Sequence, residues 1–493
     1  VDWLNSQVDF MAKKIKKTKT NKMPYLRKQG NAVQLIVDCK PFLILGGELG
    51  NSTASSVESL KQVWPKLKEL NLNTVVAPVY WDLIEPRENK FDFKLVDALL
   101  DGARKNKMRL VLLWFGSWKN SMSCYVPGWI KADQKRFPRA RLKNGQAMEI
   151  LSAFSEENLK ADVKAFSALM RYLRKKDGGK HTVIMVQVEN EIGMLEAPRD
   201  YSEQANKAFE LTPEDDEIFM ARQYARYTNK VAAAGKSEYA LPMYVNAALN
   251  SPGQKPGEYP SAGPLPHLFE VWRKEAAEID FLSPDIYQPG FERFCDEYHF
   301  KDNPLFIPEA GRCDENAAKA FYVFGQHDGI GFSPFAIETT SGNVITETYT
   351  VLGQLWPIIL TNQGKGTMAG VSLDKEKQTQ EIKLGEYVLN VSHAYTFKWT
   401  QRPGGDENWP NVGGLIISVG PNEFIIAGAG LIVTFSPKGG DGTAGIESIQ
   451  EGRFVKGKWI GGKWMNGDQS HQGRHLNLGN KPAIQRVKLY SYR

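Results

Sequence analysis

The sequence predicts an α/β chain, a (β/α)8 TIM barrel with a C-terminal all-β domain, on three observations. Short apolar runs alternate with amphipathic helical segments eight times over about 320 residues, the pattern of a closed parallel barrel. No GxGxxG follows an early strand, which counts against the rival doubly wound sheet. Beyond about Gly364 the helical periodicity stops, and apolar runs joined by glycine-rich turns such as Pro437 to Gly442 take over.

The elements follow in order. FLILGG, Phe42 to Gly47, is the first strand. SSVESLKQVWPKLKEL then places apolar residues at helical intervals, with Ser55 and Glu58 at capping-box spacing. NTVVAPVYW is the second strand, followed by a helix from Phe93 to Lys105. RLVLLWF, Arg109 to Phe115, is the third, and Ser155 opens a helix to about Lys176. TVIMVQV, Thr182 to Val188, is the fourth. Thr212-Pro213-Glu214 has the form of an N-cap with proline at the first helical position, heading a helix to about Ala234. LPMYVNA, IDFLSPDIY, PLFIPEAG and GIGFSPFAIE supply strands five to eight, and a last helix spans Thr348 to Leu360. EYVLNVSHAYTF, GGLIISVG, EFIIAGAGLIVTFS and AIQRVKLYSY are strands of a β-sandwich or β-barrel. The expected domains are a basic extension over 1–30, the barrel over 31–365 and the β domain over 366–493.

Bulk properties narrow the function. At 493 residues the chain is too long for one ordinary core. Lysines and arginines number 62 against 56 acidic residues, so the +6 excess is too small to suggest a nucleic-acid binder. The one dense basic patch, Lys13 to Lys22, reads as a solvated helix end rather than a nucleic-acid tether. No apolar run reaches the ~20 residues of a membrane helix. Cys39, Cys124, Cys295 and Cys313 lack CxxC or zinc spacing, and the histidines show no HExxH, so neither a metal nor a cofactor is expected. The chain starts at Val1 without a signal-peptide pattern, as a processed chain would, and the oligomeric state is open.

Reactive groups of such barrels gather at the C-terminal ends of the strands. Read in turn, these ends carry Glu48 and Asn51; Tyr80, Trp81 and Glu85; Trp114 and Trp118; Asn190 and Glu191; Asn246; Asp285 and Tyr287; Glu309 and Arg312; and Glu338. Carboxylates and amides bind hydroxyl groups and indole faces cover the apolar side of a pyranose, so the mixture suits a sugar better than a phosphate. Glycoside hydrolysis needs an acid on one side of the anomeric carbon and a carboxylate on the other. Glu191 and Glu309, at the ends of strands four and seven, are placed to face each other in this way. Glu191 must then hold its proton near neutral pH, and Glu309 must stay ionised with Tyr287 and Arg312 as donors. Asn190, Tyr287, Asn246, Glu48, Trp81, Trp114 and Glu338 are the candidate sugar contacts, with Asn190 at the 2-OH and Glu189 turned away as a structural residue. In the β domain, GKWIGGKWMNGDQ holds two tryptophans, Trp459 and Trp464, open to either a sugar-stacking or a packing role.

Three motifs together, QVENEIG ending strand four, IPEAGR ending strand seven and YWDLIEPRENKFDF after strand two, resemble glycoside hydrolase family 35, the β-galactosidases of the retaining (β/α)8 clan. The resemblance implies that Glu191 is the acid/base and Glu309 the nucleophile, with Trp81, Glu85 and Pro86 matching the family's W-x-x-x-E-P run. It also implies net retention through a covalent glycosyl-enzyme, a β-galactoside or related glycan as partner, and a periplasmic or secreted location. One stretch departs from the family pattern. Where an N-A-E-like segment grips the terminal galactose, this chain has Trp118-Lys119-Asn120, although the Pro127 to Ile130 end still fits. Another sugar specificity (β-glucosidase, β-mannosidase or endo-glycanase) therefore stays open beside the β-galactosidase. A non-catalytic carbohydrate-binding barrel is disfavoured, because both carboxylates are present.

Overall fold

The computed structural model describes residues 23–311, 316–402, 405 and 407–493. The basic patch Lys13 to Lys22, Arg312 and Cys313 lie outside the described residues.

Strands β1 (Tyr25–Gln29), β2 (Ala32–Val37) and β3 (Lys40–Phe42) form a small antiparallel sheet that the sequence pattern did not announce. Its central strand carries AVQLIV, of which Leu35, Ile36 and Val37 are buried. The Gln34 amide donates to the Leu360 carbonyl, at 2.8 Å, and to Gln363 Oε1, at 3.0 Å. This ties the sheet to the end of the last barrel helix.

Eight parallel strands then close on themselves: β4 (Ile44–Glu48), β5 (Thr74–Tyr80), β6 (Arg109–Phe115), β9 (Val183–Gln187), β10 (Met243–Ala248), β11 (Phe281–Ile286), β12 (Phe306–Ala310) and β13 (Gly331–Pro334). A two-stranded ribbon, β7 (Arg139–Arg141) with β8 (Ala147–Leu151), is inserted after β6. Each barrel strand leads to a helix: α1 (Val57–Glu69), α2 (Lys94–Lys105), α3 (Glu156–Asp177), α4 (Asp216–Glu238), α5 (Phe269–Glu275), α6 (Phe291–Tyr298), α7 (Lys319–Gln326) and α8 (Val344–Asn362). Both faces of the sheet are covered, which is why β5 and β9 are buried at every position and read as unbroken apolar runs.

Two helix starts differ from expectation. The α1 cap is Ser56, whose Oγ accepts the Ser59 N–H at 3.1 Å, so the Ser55/Glu58 box is one residue out of register. Thr212 closes a short helix, Glu203–Leu211, instead of opening α4; Asp215 caps α4 by accepting from Glu217 and Ile218. Ser155 does cap α3, through the Asn158 N–H.

The C-terminal part consists of two antiparallel sheets. One has the order β14 (Met368–Leu373), β17 (Val412–Gly420), β18 (Glu423–Gly428), β23 (Ala483–Tyr492), β20 (Thr443–Val455), β21 (Lys458–Trp464). The other runs β15 (Thr379–Leu384), β16 (Tyr387–His393), β19 (Leu431–Pro437), β22 (Leu476–Leu478). The alternation along β17 and β18 serves two cores. Ile416, Phe424 and Ile426 pack between the sheets, whereas Leu415, Ile417, Ile425 and Ala427 join the barrel's own core. The glycine-rich Trp459/Trp464 hairpin divides in its use. Trp459 packs on Phe454 and donates to Gln450, while Trp464 is 60% exposed.

Candidate active site

At the C-terminal mouth of the barrel two loops are bound to each other through their backbones. After β9 the chain turns through Glu189 (φ 62°), Asn190 and Glu191 (φ 46°), and after β6 it turns through Asn120 (φ 46°) and Ser121 (φ 68°). Left-handed conformations of non-glycine residues carry strain, and they recur at functional sites. The cross-links are Asn190 N–H to the Trp118 carbonyl (3.3 Å), Asn120 N–H to the Asn190 carbonyl (3.2 Å) and Ser121 N–H to the Glu191 carbonyl (3.1 Å). VENE and WKNS are thus one structural unit.

The turn sends its two glutamates to opposite sides. Glu189 is fully buried, and its Oε2 accepts the Trp118 N–H at 2.8 Å. Its partner carboxyl, Asp162 on α3, accepts from Trp114 Nε1 (2.9 Å) and Ser117 Oγ (2.5 Å). Burial, and then the Asp162 charge, push the Glu189 carboxyl well above the usual range. Glu191 faces the mouth. Its backbone N–H is held by Asn246 Oδ1 at 3.0 Å, and the Asn246 amide donates on to Asp285 Oδ2 at 2.5 Å.

Opposite Glu191, Glu309 lies in register with Asp285 at the ends of β12 and β11. Tyr287 donates its hydroxyl to Glu309 Oε1 at 2.5 Å. Carboxylate oxygens of Glu191, Asp285 and Glu309 lie within 4.8 Å of one another. Glu48, at the end of β4, approaches Glu309 and completes the cluster. So much buried carboxylate raises the proton affinity of Glu191, Glu48 and Asp285. Burial, followed by the Glu309 charge, lifts Glu191 to about 7 and sends Glu48 and Asp285 well above the usual range. The positive charge among these acids comes from the chain itself. Lys119, 6% exposed, sits 3.4 Å from Glu191 Oε2. Burial alone would strip its proton, but Glu191, Glu309, Glu48 and Asp285 outweigh that and hold it charged.

Of the residues expected at the site, Glu48, Asn190, Glu191, Asn246, Tyr287 and Glu309 come together, but not all of them face a ligand. Both ends of the Asn246 amide are engaged within the protein, so it is a support for Glu191. Both polar atoms of the Asn190 side chain, Glu309 Oε2 and Glu48 Oε1 are buried without a hydrogen-bond partner among the described residues. Glu338 accepts from Gly50 N–H (3.0 Å) and from the Thr53 hydroxyl, keeping one oxygen unpartnered. Trp81 and Trp114 correct the expectation of sugar-stacking platforms. Both are fully buried, with their N–H groups bound to Glu85 (2.9 Å) and Asp162. Trp118 is buried too, edge-on to Tyr224 and Tyr227 of α4. Lys119 and Asp285 were visible in the sequence only as a departure from a pattern and as a strand end. Their part in the cluster depends on neighbours far away along the chain.

Comparison with known proteins gives the following. No curated protein matches the chain in sequence. Among solved structures, it is similar to the β-galactosidase of Rahnella sp. R3 (15% identity, 65% of this chain and 57% of that one, TM-score 0.48). It is likewise similar to the β-galactosidase of Bacillus circulans sp. alkalophilus (14%, 64% and 57%, 0.49) and to the β-1,4-D-mannanase of Cryptopygus antarcticus (14%, 67% and 95%, 0.44). The chain spans 57% of the length of each of the two β-galactosidases. A domain of unknown function (DUF5597) matches residues 345–477, from the last barrel helix into the β domain. Glycosyl hydrolases family 35 matches residues 34–256, the part of the barrel that carries Glu48, Lys119, Asn190, Glu191 and Asn246.

Proposed function

We propose that the protein is a retaining, exo-acting β-galactosidase that removes terminal galactose from oligo- or polysaccharide side chains. The observation that carries this reading is the spacing of Glu191 and Glu309, whose carboxylate oxygens lie within 4.8 Å. Retaining enzymes hold their carboxyl groups about 5–5.5 Å apart, and inverting ones need about 6.5–9.5 Å to admit a water molecule. On this reading Glu309 attacks the anomeric carbon and Glu191 protonates the departing oxygen. Glu191 then takes a proton from the water that releases the sugar. The two states of the carboxyl pair agree with these roles. Glu191 holds its proton to about pH 7, and Tyr287 donates to Glu309, supporting a carboxylate there. The unpartnered buried atoms of Asn190 and Glu48 would meet hydroxyl groups of the sugar. A polysaccharide substrate would place the enzyme in the periplasm or outside the cell.

A second reading keeps the mechanism and changes the sugar to that of a β-glucosidase, β-mannosidase or endo-glycanase. It is favoured by Asn120 and Lys119, which stand where the family grips galactose and here both donate to Glu191. A panel of p-nitrophenyl β-glycosides separates the two. Release from the β-galactoside alone is expected, falling by at least about 10²–10⁴-fold in Glu191→Gln and Glu309→Gln. Release from another glycoside selects the second reading. Full activity in either variant overturns the catalytic assignment.

A further inference from the structure

Among the described residues Lys119 is the one buried ammonium in the carboxylate cluster, and its ion-pair partner is the oxygen on which catalysis would turn. Nζ lies 3.4 Å from Glu191 Oε2, with the two side chains 6% and 5% exposed. The Asn120 amide donates to that same oxygen. The loop bearing both donors cannot slide away from Glu191, because its backbone is hydrogen-bonded to Asn190 and Glu191 and its Trp118 N–H is held by Glu189. An ammonium and an amide N–H₂ are donors only, and the carbonyl oxygen of a protonated carboxyl is a better acceptor than its O–H oxygen, so two donors on Oε2 favour the proton on Oε1.

We infer that Lys119, assisted by Asn120, is a positioning residue for the acid/base: by donating to Glu191 Oε2 it favours the transferable proton on Oε1 and sets how readily that proton leaves. The inference rests on the acid/base reading of Glu191. Among the described residues, the charged and titratable groups around Glu191 are Glu309 from β12, Asp285 from β11, Glu48 from β4 and Lys119 from the loop after β6, with neutral Asn246 from β10. The Glu309 charge favours the protonated form, and among the described residues Lys119 is the cation that opposes it, by its charge and its hydrogen bond. The opposition serves the second half of a double displacement, in which Glu191 must be ionised to accept a proton from water. Without Lys119, Glu191 would be a willing acid that seldom becomes a base. The loop that departs from the family pattern thus acquires a role that does not require it to touch the sugar.

The test is a direct titration of Glu191 by ¹³C NMR of protein labelled at glutamate Cδ, with the resonance identified by its loss in Glu191→Gln. Lys119→Met and Lys119→Arg are compared with the native protein. The midpoint is expected to rise by about 1–3 units in Lys119→Met, the usual effect of one opposite charge at this range, and to stay near the native value in Lys119→Arg. The alkaline limb of kcat/KM on the cleaved glycoside moves up by the same amount in Lys119→Met. If the midpoint is unmoved in Lys119→Met, the inference is overturned, whether or not activity falls. Should Lys119→Met not fold, Asn120→Leu removes the second donor and leaves the charge; a smaller upward shift supports the inference, and no shift overturns it. The titration reads Glu191 even if no glycoside is cleaved, so failure of the functional reading is told apart from failure of this one.

Discussion

At the residue scale the site is a concentration of acids in a place that disfavours charge, and this has a consequence for stability. The Glu191 carboxyl is raised from 4.5 to about 7, first by burial and then by the Glu309 charge. A carboxyl whose folded pKa is raised stabilises the fold fully below its unfolded pKa, and that contribution is lost as pH rises through the folded value. Above about pH 7 the native state therefore holds a charge it disfavours, at a cost on the order of 3 kcal/mol. Glu191→Gln removes the charge and keeps the shape. The variant should melt several degrees above the native protein at about pH 8 and close to it at about pH 5, by calorimetry at the two pH values. Equal melting difference at both would mean that the carboxyl is not perturbed. Legibility at this scale was uneven. VENE and IPEAG located the two carboxylates, because a barrel brings strand ends to one face. A strand-end position does not say which way a side chain turns, so Trp114 and Asn246 were expected to face the sugar. Trp114 reaches instead to α3, and Asn246 holds the Glu191 backbone.

At the scale of elements, the barrel strands were legible because burial on both faces gives long apolar runs with sharp ends, and RLVLLWF coincides with β6 residue for residue. Caps were less legible. Ser55, Ser56 and Thr212 are all competent cap residues, and only the packing of the helix selects among them. The N-terminal sheet was missed because its edge strands, β1 and β3, are short and largely uncovered, with little apolar pattern to read. The element that matters most to the chemistry is the junction of β6 with the Trp118–Ser121 loop, and its tightest point is Gly116. A methyl group there would strike the Trp114 indole N–H and come within 2.8 Å of Glu189 Oε1. Gly116→Ala should therefore disturb the Glu189 contact to Trp118 and carry Lys119 away from Glu191. A loss of about 1–3 kcal/mol in urea unfolding is expected, with kcat falling more than KM rises. Native kcat in a folded Gly116→Ala protein would show that the loop tolerates displacement.

At the scale of the molecule, the barrel and the six-stranded sheet are joined by core, and the reason lies in the sequence of the β domain. GGLIISVG and EFIIAG are apolar at consecutive positions, where a sheet with one wet face would alternate. Each therefore buries both faces, one against the second sheet and the other against the barrel. Glycines permit the approach. Gly325 of α7 lies so close to the sheet that an added carbon would meet Leu415 Cδ1 at 2.5 Å and the Ala369 carbonyl at 2.7 Å, and Gly370 and Gly413 are equally tight from the other side. The helix so clamped runs between β12, which carries Glu309, and β13. The sheet accordingly supports the Glu309 side of the barrel, and the two parts should unfold together. A single transition, coincident by tryptophan fluorescence and far-ultraviolet circular dichroism, is expected for the native protein. Gly325→Val would wedge the interface open at a cost of about 1–3 kcal/mol and separate the two signals. If Gly325→Val still unfolds in one step at the native midpoint, the shared core contributes nothing to holding the barrel. The β domain would then have to be explained by what its own surface does.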